Sequence, residues 1–174
     1  KFIEETSEDG KIIVRYEPGD LVVCNLASIN VATVFEDAVI ADVFPVVMRV
    51  LDNVVTLNYY PIKEAERTST RYRSVGLGYL GLAEYLATHK LAYDSKEARN
   101  EVDRLFERYT YHTYRASIDL AKERGTYELY PGSEYSKGIL LGRKSAWFEK
   151  NTPYGADWKA LFTDMQTTGV RFAY

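Results

Sequence analysis

The feature that most constrains the fold is a long segment, residues 96–124, in which apolar side chains recur at helical spacing. Asp94-Ser95 precedes it and provides an N-cap, because such a side chain accepts a hydrogen bond from a free backbone N–H of the first turn. Gly125 follows it, and glycine commonly ends a helix. The sequence therefore predicts a helix of about eight turns, which any fold of the chain has to accommodate.

Shorter helical patterns recur along the rest of the chain. They cover residues 35–58, 62–67, 76–90, a short stretch near 133–138, and 157–167. Pro45 fits a first helical turn, where its missing N–H costs nothing, and Asp157 is a suitable N-cap for the last helix. Small residues along one face of 76–90 would let another backbone approach closely.

Apolar runs at residues 11–16 and 21–26 predict strands. The turn residues 17–20 between them indicate a β-hairpin or two neighbouring strands. Residues 171–174 follow Gly169 and resemble the start of a further strand. This favours a chain that is a piece of something larger, and a short terminal edge strand is the alternative. The patterns together predict a single α/β unit that is predominantly helical, with short strands near both ends.

Composition excludes several classes of function. The 25 acidic and 22 basic residues give a formal net charge of −3, so nothing draws the chain to nucleic acid or to an anionic membrane. No apolar run approaches the roughly 18 residues that would span a bilayer. The single cysteine, Cys24, excludes an internal disulfide framework and a cysteine-rich zinc site. Because the chain has two histidines, His89 and His112, we also do not expect a histidine metal cluster.

Two segments match motifs that bind phosphate groups. Residues 76–81 fit G-x-G-x-x-G, which binds a dinucleotide where it follows a buried strand. Residues 70–75 are too polar for such a strand, so we favour glycines that allow close helix packing and keep dinucleotide binding as the alternative. The basic residues 67–73, which overlap a predicted polar loop over 68–74, could bind phosphate through arginine, although a solvated surface loop is the favoured interpretation.

Cys24 is the remaining candidate for chemistry. A lone cysteine within an apolar run is more often a small buried hydrophobe than a redox group, and a redox role needs a second cysteine from elsewhere. His112 is interpreted as a packed or partly exposed ring on a helix face. The carboxylates of Glu123, Glu128 and Glu134 are scattered and indicate no acid–base pair.

The residues around Cys24 change its interpretation. Residues 21–30, LVVCNLASIN, resemble a stretch of the large (alpha) subunit of class I ribonucleotide reductases. Further stretches that resemble this family follow in the same order: LDN at 51–53 with NYYPI at 58–62, YRSVGLG at 72–78, AKERG at 121–125, GSEYSKGIL at 132–140, DW at 157–158 and GVR at 169–171. The resemblance covers residues 11–174 and leaves residues 1–10 as a polar leader that does not match.

The resemblance implies a fold and an activity. This family reduces ribonucleotides to deoxyribonucleotides, and its alpha subunit is built around a ten-stranded α/β barrel, of which the chain would be a partial segment. A radical made in a metal-containing small subunit passes to a cysteine inside the barrel, and the resulting thiyl radical takes hydrogen from the ribose. Two further cysteines supply two electrons and become a disulfide. Cys24 matches the second of these two reducing cysteines.

The resemblance also implies elements that this chain lacks. The partner cysteine lies upstream, the radical-cysteine motif has no match near residues 7–11, and the phosphate-binding loop would begin past Tyr174. We therefore expect no cofactor or metal in this segment, with radical and nucleotide effectors held elsewhere. The expected partners are the rest of the large subunit, the small subunit and the ribonucleotide, in the cytoplasm, and the chain alone is expected to be inactive. A non-catalytic helical interaction or scaffold remnant of the same fold is the alternative.

Overall fold

A computed structural model describes residues 2–173, leaving aside the side chain of Ala156. In chain order the elements are β1 (Phe2–Thr6), β2 (Ile12–Tyr16), β3 (Asn25–Asn30), α1 (Asp37–Leu57), α2 (Lys63–Tyr72), β4 (Val75–Leu80), α3 (Leu82–Thr88), α4 (Lys96–Arg124), a 3-10 turn (Tyr135–Lys137), β5 (Ile139–Leu140), β6 (Arg143–Lys144), α5 (Ser145–Asn151) and α6 (Gly155–Thr167). This order confirms the predicted α/β class with a predominance of helix.

The strands of the described residues pair two by two. β1 pairs with β2 antiparallel, β3 with β4 parallel, and β5 with β6 antiparallel. α1 and α2 together cross over from β3 to β4, as parallel neighbours require. Between residues 2 and 173 the three pairs stay separate, and no closed barrel forms.

The first hairpin differs from the predicted one. β2 pairs with β1, because the turn at Gly10, with a φ of 76°, returns the chain onto residues 2–6. The Gly10 N–H donates to the Ser7 carbonyl oxygen at 2.9 Å and closes that turn. Residues 21–24 lie outside any strand, and β3 begins at Asn25, where β4 provides a partner.

The long helix confirms its prediction at both ends. α4 covers the predicted residues, and the Ser95 hydroxyl oxygen accepts a hydrogen bond from the Ala98 N–H at 3.0 Å. Gly125 follows with a φ of 81°. The helices predicted near 35–58 and 157–167 also form, as α1 and α6, and the 3-10 turn lies where a short helix is predicted.

Four predictions about the helices and their boundaries are wrong. Pro45 lies well inside α1, because the buried face of that helix already begins with Ile40. Asp157 lies in the first turn of α6, whose N-cap is Tyr154. The predicted helix over 76–90 begins only at Leu82, since the preceding residues form β4.

The fourth wrong prediction is the loop over 68–74. α2 continues through this segment to Tyr72, and the chain leaves the helix at Arg73, which has a left-handed conformation with a φ of 50°. The polar sequence predicts a loop, but the segment is helical because α2 packs through small side chains, those of Ala65, Thr68 and Ser69.

The hydrophobic core is arranged along α4 in three clusters. Tyr109 of α4 and Ile29 of β3 belong to the cluster beneath the parallel strands. Met48 of α1 and Phe172 belong to a second cluster near the start of β4. Trp158 of α6 is fully buried in a third cluster against the C-terminal half of α4. The parallel pair is therefore fixed on a helical base through one of its two faces.

Many of the exposed apolar side chains lie on the β1–β2 hairpin and on α1. On the β1–β2 hairpin they include Phe2, Ile12, Val14 and Tyr16. On α1 they form the α1 stripe, which consists of Val46, Val50, Val54 and Leu57, each between 41% and 81% exposed. Because the spacing of the stripe is three and four residues, its side chains lie on one side of the helix.

The segment after α6 lies beside the start of β4. The Ala173 N–H donates to the Tyr72 carbonyl oxygen at 3.1 Å, and the Val75 N–H donates to the Ala173 carbonyl oxygen at 3.3 Å. Residues 171–173 form no strand, so the strand prediction is wrong there, and Tyr174 lies outside the described residues. The segment nevertheless occupies the edge of β4 that β3 leaves free.

Candidate active site

Cys24 immediately precedes β3, and its side chain is exposed. The prediction of a buried cysteine within a strand is therefore wrong, because residues 21–24 run along the surface before the parallel pairing begins. The thiol donates to the Asn25 carbonyl oxygen at 3.5 Å. Partial burial raises the pKa of the Cys24 thiol, so the protonated S–H form is present at neutral pH.

The exposed face of the β3–β4 pair extends from Cys24. Leu26 lies opposite Gly76, and Ser28 lies opposite Gly78. A Cβ atom added at Gly76 would lie 2.7 Å from Leu26 Cδ2 and 3.6 Å from Cys24 Sγ, which places both side chains over that glycine. A Cβ atom at Gly78 would lie 3.2 Å from Ser28 Oγ. The two glycines therefore leave β4 without side chains beside the thiol.

The G-x-G-x-x-G glycines have structural reasons of their own. Gly76 and Gly78 lie inside β4, whereas a dinucleotide fingerprint places its glycines after the strand. Gly81 precedes α3 with a φ of 78°. The glycines therefore allow another backbone to approach closely, as predicted, but they do so in a pair of strands and not in a helix.

The basic segment does not form a phosphate-binding loop. Arg67 donates to the carbonyl oxygens of Pro18 and Gly19, at 3.1 and 2.9 Å. Arg71 pairs with Glu128 at 2.8 Å. Arg73 is buried and turns toward α1. Each of these guanidinium groups therefore already has a partner within the chain.

The Asp52 cluster, which sequence reasoning missed, lies at the same end of the sheet as Cys24. Asp52 is fully buried, and Arg73 Nε and Arg171 Nε approach its Oδ1 at 3.0 and 2.8 Å. Arg124 Nη1 approaches its Oδ2 at 2.7 Å. Burial alone would raise the pKa of Asp52, but hydrogen bonds from Arg124 and Arg171 and the charge of Arg73 outweigh it and lower that pKa. The signal in the sequence is an aspartate between apolar residues on the buried face of a helix.

The other candidate side chains take part in packing or in ion pairs. His112 packs near Phe44 and Tyr111, as predicted, and burial lowers its pKa. Glu123 and Glu128 form ion pairs with arginines. No group of three or more histidine, cysteine, aspartate or glutamate side chains among residues 2–173 could hold a metal ion.

Each helix in the described part of the chain is too short or too polar to cross a membrane.

Comparison with known proteins assigns the family. The model of the family described as "Ribonucleotide reductase, barrel domain" matches residues 4–174. The chain therefore belongs to the ribonucleotide reductase barrel-domain family, as the resemblance around Cys24 predicts.

Curated relatives agree with this assignment. The chain is 38% identical over 162 residues to a ribonucleoside-diphosphate reductase subunit alpha of Helicobacter pylori. The matched region covers 90% of this chain and 21% of that protein. It is 40% identical over 157 residues to the corresponding subunit of Synechocystis, covering 88% of this chain and 20% of the relative. The ribonucleoside-diphosphate reductase large subunit of Danio rerio is 37% identical over 166 residues, covering 91% of this chain and 20% of the relative. The chain thus spans about a fifth of the length of these relatives.

Proposed function

We propose that this chain is part of the catalytic barrel in the large subunit of a ribonucleoside-diphosphate reductase, which reduces ribonucleotides to deoxyribonucleotides. In the assembled enzyme, Cys24 is one of the two thiols that supply the reducing electrons. The family match and the names of the relatives support the reaction class. The observation that carries the role of Cys24 is an exposed thiol at the end of an open sheet face, beside glycine backbone with no side chains.

The proposed reaction needs a second thiol from outside the chain, because Cys24 is its one cysteine. When two thiols become a disulfide, they release two protons and two electrons. These reduce one carbon of the ribose, and its hydroxyl group leaves as water. Each turnover therefore consumes two S–H bonds and forms one S–S bond. The raised pKa of Cys24 suits this role, because the protonated thiol carries the hydrogen that the reaction uses.

The sheet supports a partial barrel. β3 and β4 are parallel, and residues 171–173 bond to the far edge of β4, so the order of neighbours follows the order of the chain. Within residues 2–173 β3 pairs with β4 alone, and its other edge has the backbone groups that a strand from the remainder of the large subunit would pair with. We propose that this remainder closes the barrel and contributes the thiyl radical and the other reducing cysteine.

The further partners follow from the same proposal. They are a metal-containing small subunit that generates the radical and the ribonucleotide substrate, in the cytoplasm, with nucleotide effectors bound elsewhere in the large subunit. The chain by itself is expected to be inactive, because neither the radical cysteine nor the thiol that pairs with Cys24 belongs to it.

Replacement of the thiol in the assembled reductase tests the proposal. Cys24→Ser is expected to lower multiple-turnover deoxyribonucleotide formation by about 100-fold or more, since it removes one of two reacting groups. Size-exclusion chromatography should show unchanged assembly. The matched control is Val22→Ala, an exposed position in the same surface segment that leaves the thiol in place and should leave turnover unchanged.

The alternative, a non-catalytic interaction or scaffold remnant, is favoured by the α1 stripe, which has the form of a docking face. The two functions differ in their dependence on the thiol. Full turnover by the Cys24→Ser enzyme would exclude the reducing role and leave the scaffold function. Loss of turnover with intact assembly would exclude the scaffold function as the sole role.

A further inference from the structure

The Asp52 cluster joins the starts of two neighbouring backbone segments. Arg73 stands two residues before β4 and also donates from Nη2 to the Asp52 carbonyl oxygen at 2.8 Å. Arg171 stands two residues before Ala173, whose carbonyl oxygen accepts the Val75 N–H. A single carboxylate on α1 is therefore bonded to the residues that lead into β4 and into the segment beside it.

Arg171 is also bonded to the backbone of α4. The Arg171 N–H donates to the Ser117 carbonyl oxygen at 3.2 Å, and its Nη1 donates to the carbonyl oxygens of Arg124 and Gly125, both at 3.1 Å. The carbonyl groups of Arg124 and Gly125 lie at the C-terminal end of α4, where a positive charge is favourable. The C-terminal segment is thus held by α4 and by Asp52 at the same residue.

Charge makes this arrangement depend on Asp52. Three guanidinium groups converge on one buried carboxylate, and the side chain of Arg73 is only 8% exposed. Removing the carboxylate would leave buried like charges without their counter-ion, which is strongly unfavourable. Glu123 bonds to Arg49 and Arg124 at the surface and does not reach the buried Arg73. The side chains of Arg73 and Arg171 would then have to move, and the backbone at each would move with them.

Movement at Arg73 would reach the thiol through two contacts. The Asn25 N–H donates to the Ser74 carbonyl oxygen at 3.4 Å, which links the residue after Cys24 to the residue after Arg73. Gly76, two residues further along β4, lies under Cys24 Sγ. The position of the thiol on the sheet face therefore depends on where β4 begins.

We propose that Asp52 is a positioning residue for Cys24: its carboxylate fixes Arg73 and Arg171, and thereby holds the start of β4 and residues 171–173 in register beneath the thiol. This inference rests on the proposed function in that the positioned group is the proposed reducing thiol. Asp52 does not touch the substrate. It acts through the arginines and the backbone that they anchor.

Hydrogen exchange in the assembled large subunit, followed by mass spectrometry of peptides, tests the proposal. The peptides of interest cover residues 73–80 and 169–173, and a peptide from α6, residues 157–167, provides the internal reference. Asp52→Asn keeps the shape of the side chain and removes its charge. We expect exchange to become at least about tenfold faster in both peptides of interest and unchanged in α6, because local opening rather than global unfolding limits exchange there.

A second variant keeps the test decisive should Asp52→Asn fail to fold. Arg171→Gln removes one anchor and leaves Asp52 paired with Arg73 and Arg124. It is expected to speed exchange at residues 169–173 and, to a smaller extent, at 73–80. The matched control is Asp37→Asn, which removes an equal charge from a carboxylate that pairs with Arg108 at 2.7 Å, at the other end of α1. It should leave both peptides unchanged.

The outcomes separate the positioning role from the role of the thiol. Alkylation of Cys24 by a neutral reagent, measured on its own peptide, should become faster in Arg171→Gln and stay unchanged in Asp37→Asn. Exchange that is unchanged in the two peptides of a folded Asp52→Asn or Arg171→Gln subunit, or that is faster to the same extent everywhere, would overturn the proposal. Cys24→Ser leaves the arginine anchors intact and should not change exchange at 73–80, so an active Cys24→Ser enzyme refutes the reducing role while the exchange result still stands.

Discussion

At the scale of the residue, Gly81 is subject to two separate constraints. Its φ of 78° lies in the region that side chains disfavour, and a Cβ atom there would overlap Asn30 Oδ1. That oxygen accepts the Ala32 N–H at 3.0 Å at the end of β3, so it is not free to withdraw without losing a bond. Gly142 has a similar φ of 69°, but a Cβ atom there would meet nothing within 4 Å.

Comparing alanine substitutions at Gly81 and Gly142 separates the cost of backbone strain from the cost of steric overlap. Gly142→Ala should lower the free energy of unfolding by about 1–2 kcal/mol, the cost of a left-handed alanine. Gly81→Ala should lower it by that amount and by about 1–3 kcal/mol more, because Asn30 has to move. Urea denaturation of both variants beside the parent chain measures the difference. Equal losses for the two variants would contradict the contact with Asn30.

At the scale of the element, α4 depends on its cap. The Ser95 hydroxyl oxygen accepts the Ala98 N–H, one of the first-turn donors without a partner inside the helix. Ser95→Ala should therefore lower the free energy of unfolding by about 1 kcal/mol. Ser95→Asp retains a hydrogen-bond acceptor and should retain most of this stabilisation. Thermal unfolding followed by circular dichroism provides the comparison. A Ser95→Asp chain as unstable as Ser95→Ala would show that the cap bond contributes little.

The same scale explains which parts of the fold could be predicted. α4 could be predicted because its period, its serine cap and its terminal glycine are all local in sequence. β4 could not, because its glycines fit a strand only through Leu26 and Ser28 of β3, about fifty residues earlier in the chain. Cys24 was identified by the resemblance of its neighbours, but its exposure depends on where the parallel pairing begins. Asp52 carries a signal only once the buried face of α1 is known.

At the scale of the whole molecule, the described chain covers one face of its parallel sheet and leaves other apolar surfaces open. The buried face packs on α1 and α4, while the α1 stripe and the β1–β2 hairpin face solvent. Exposed apolar surface on adjacent side chains favours association. In the proposed large subunit the remainder of the barrel would cover these surfaces, and in the isolated chain a second copy can do so.

The isolated chain should therefore self-associate as its concentration rises. Sedimentation equilibrium is expected to give masses above the 19.9 kDa of one chain, and Val50→Lys should move the equilibrium toward the monomer, because it places a charge within the α1 stripe. Asn100→Lys adds the same charge at an exposed polar position of α4 and should leave association unchanged. A parent chain that stays monomeric at high concentration would show that the open surfaces are stable in water. Equal effects of the two lysines would show that net charge, rather than the stripe, governs association.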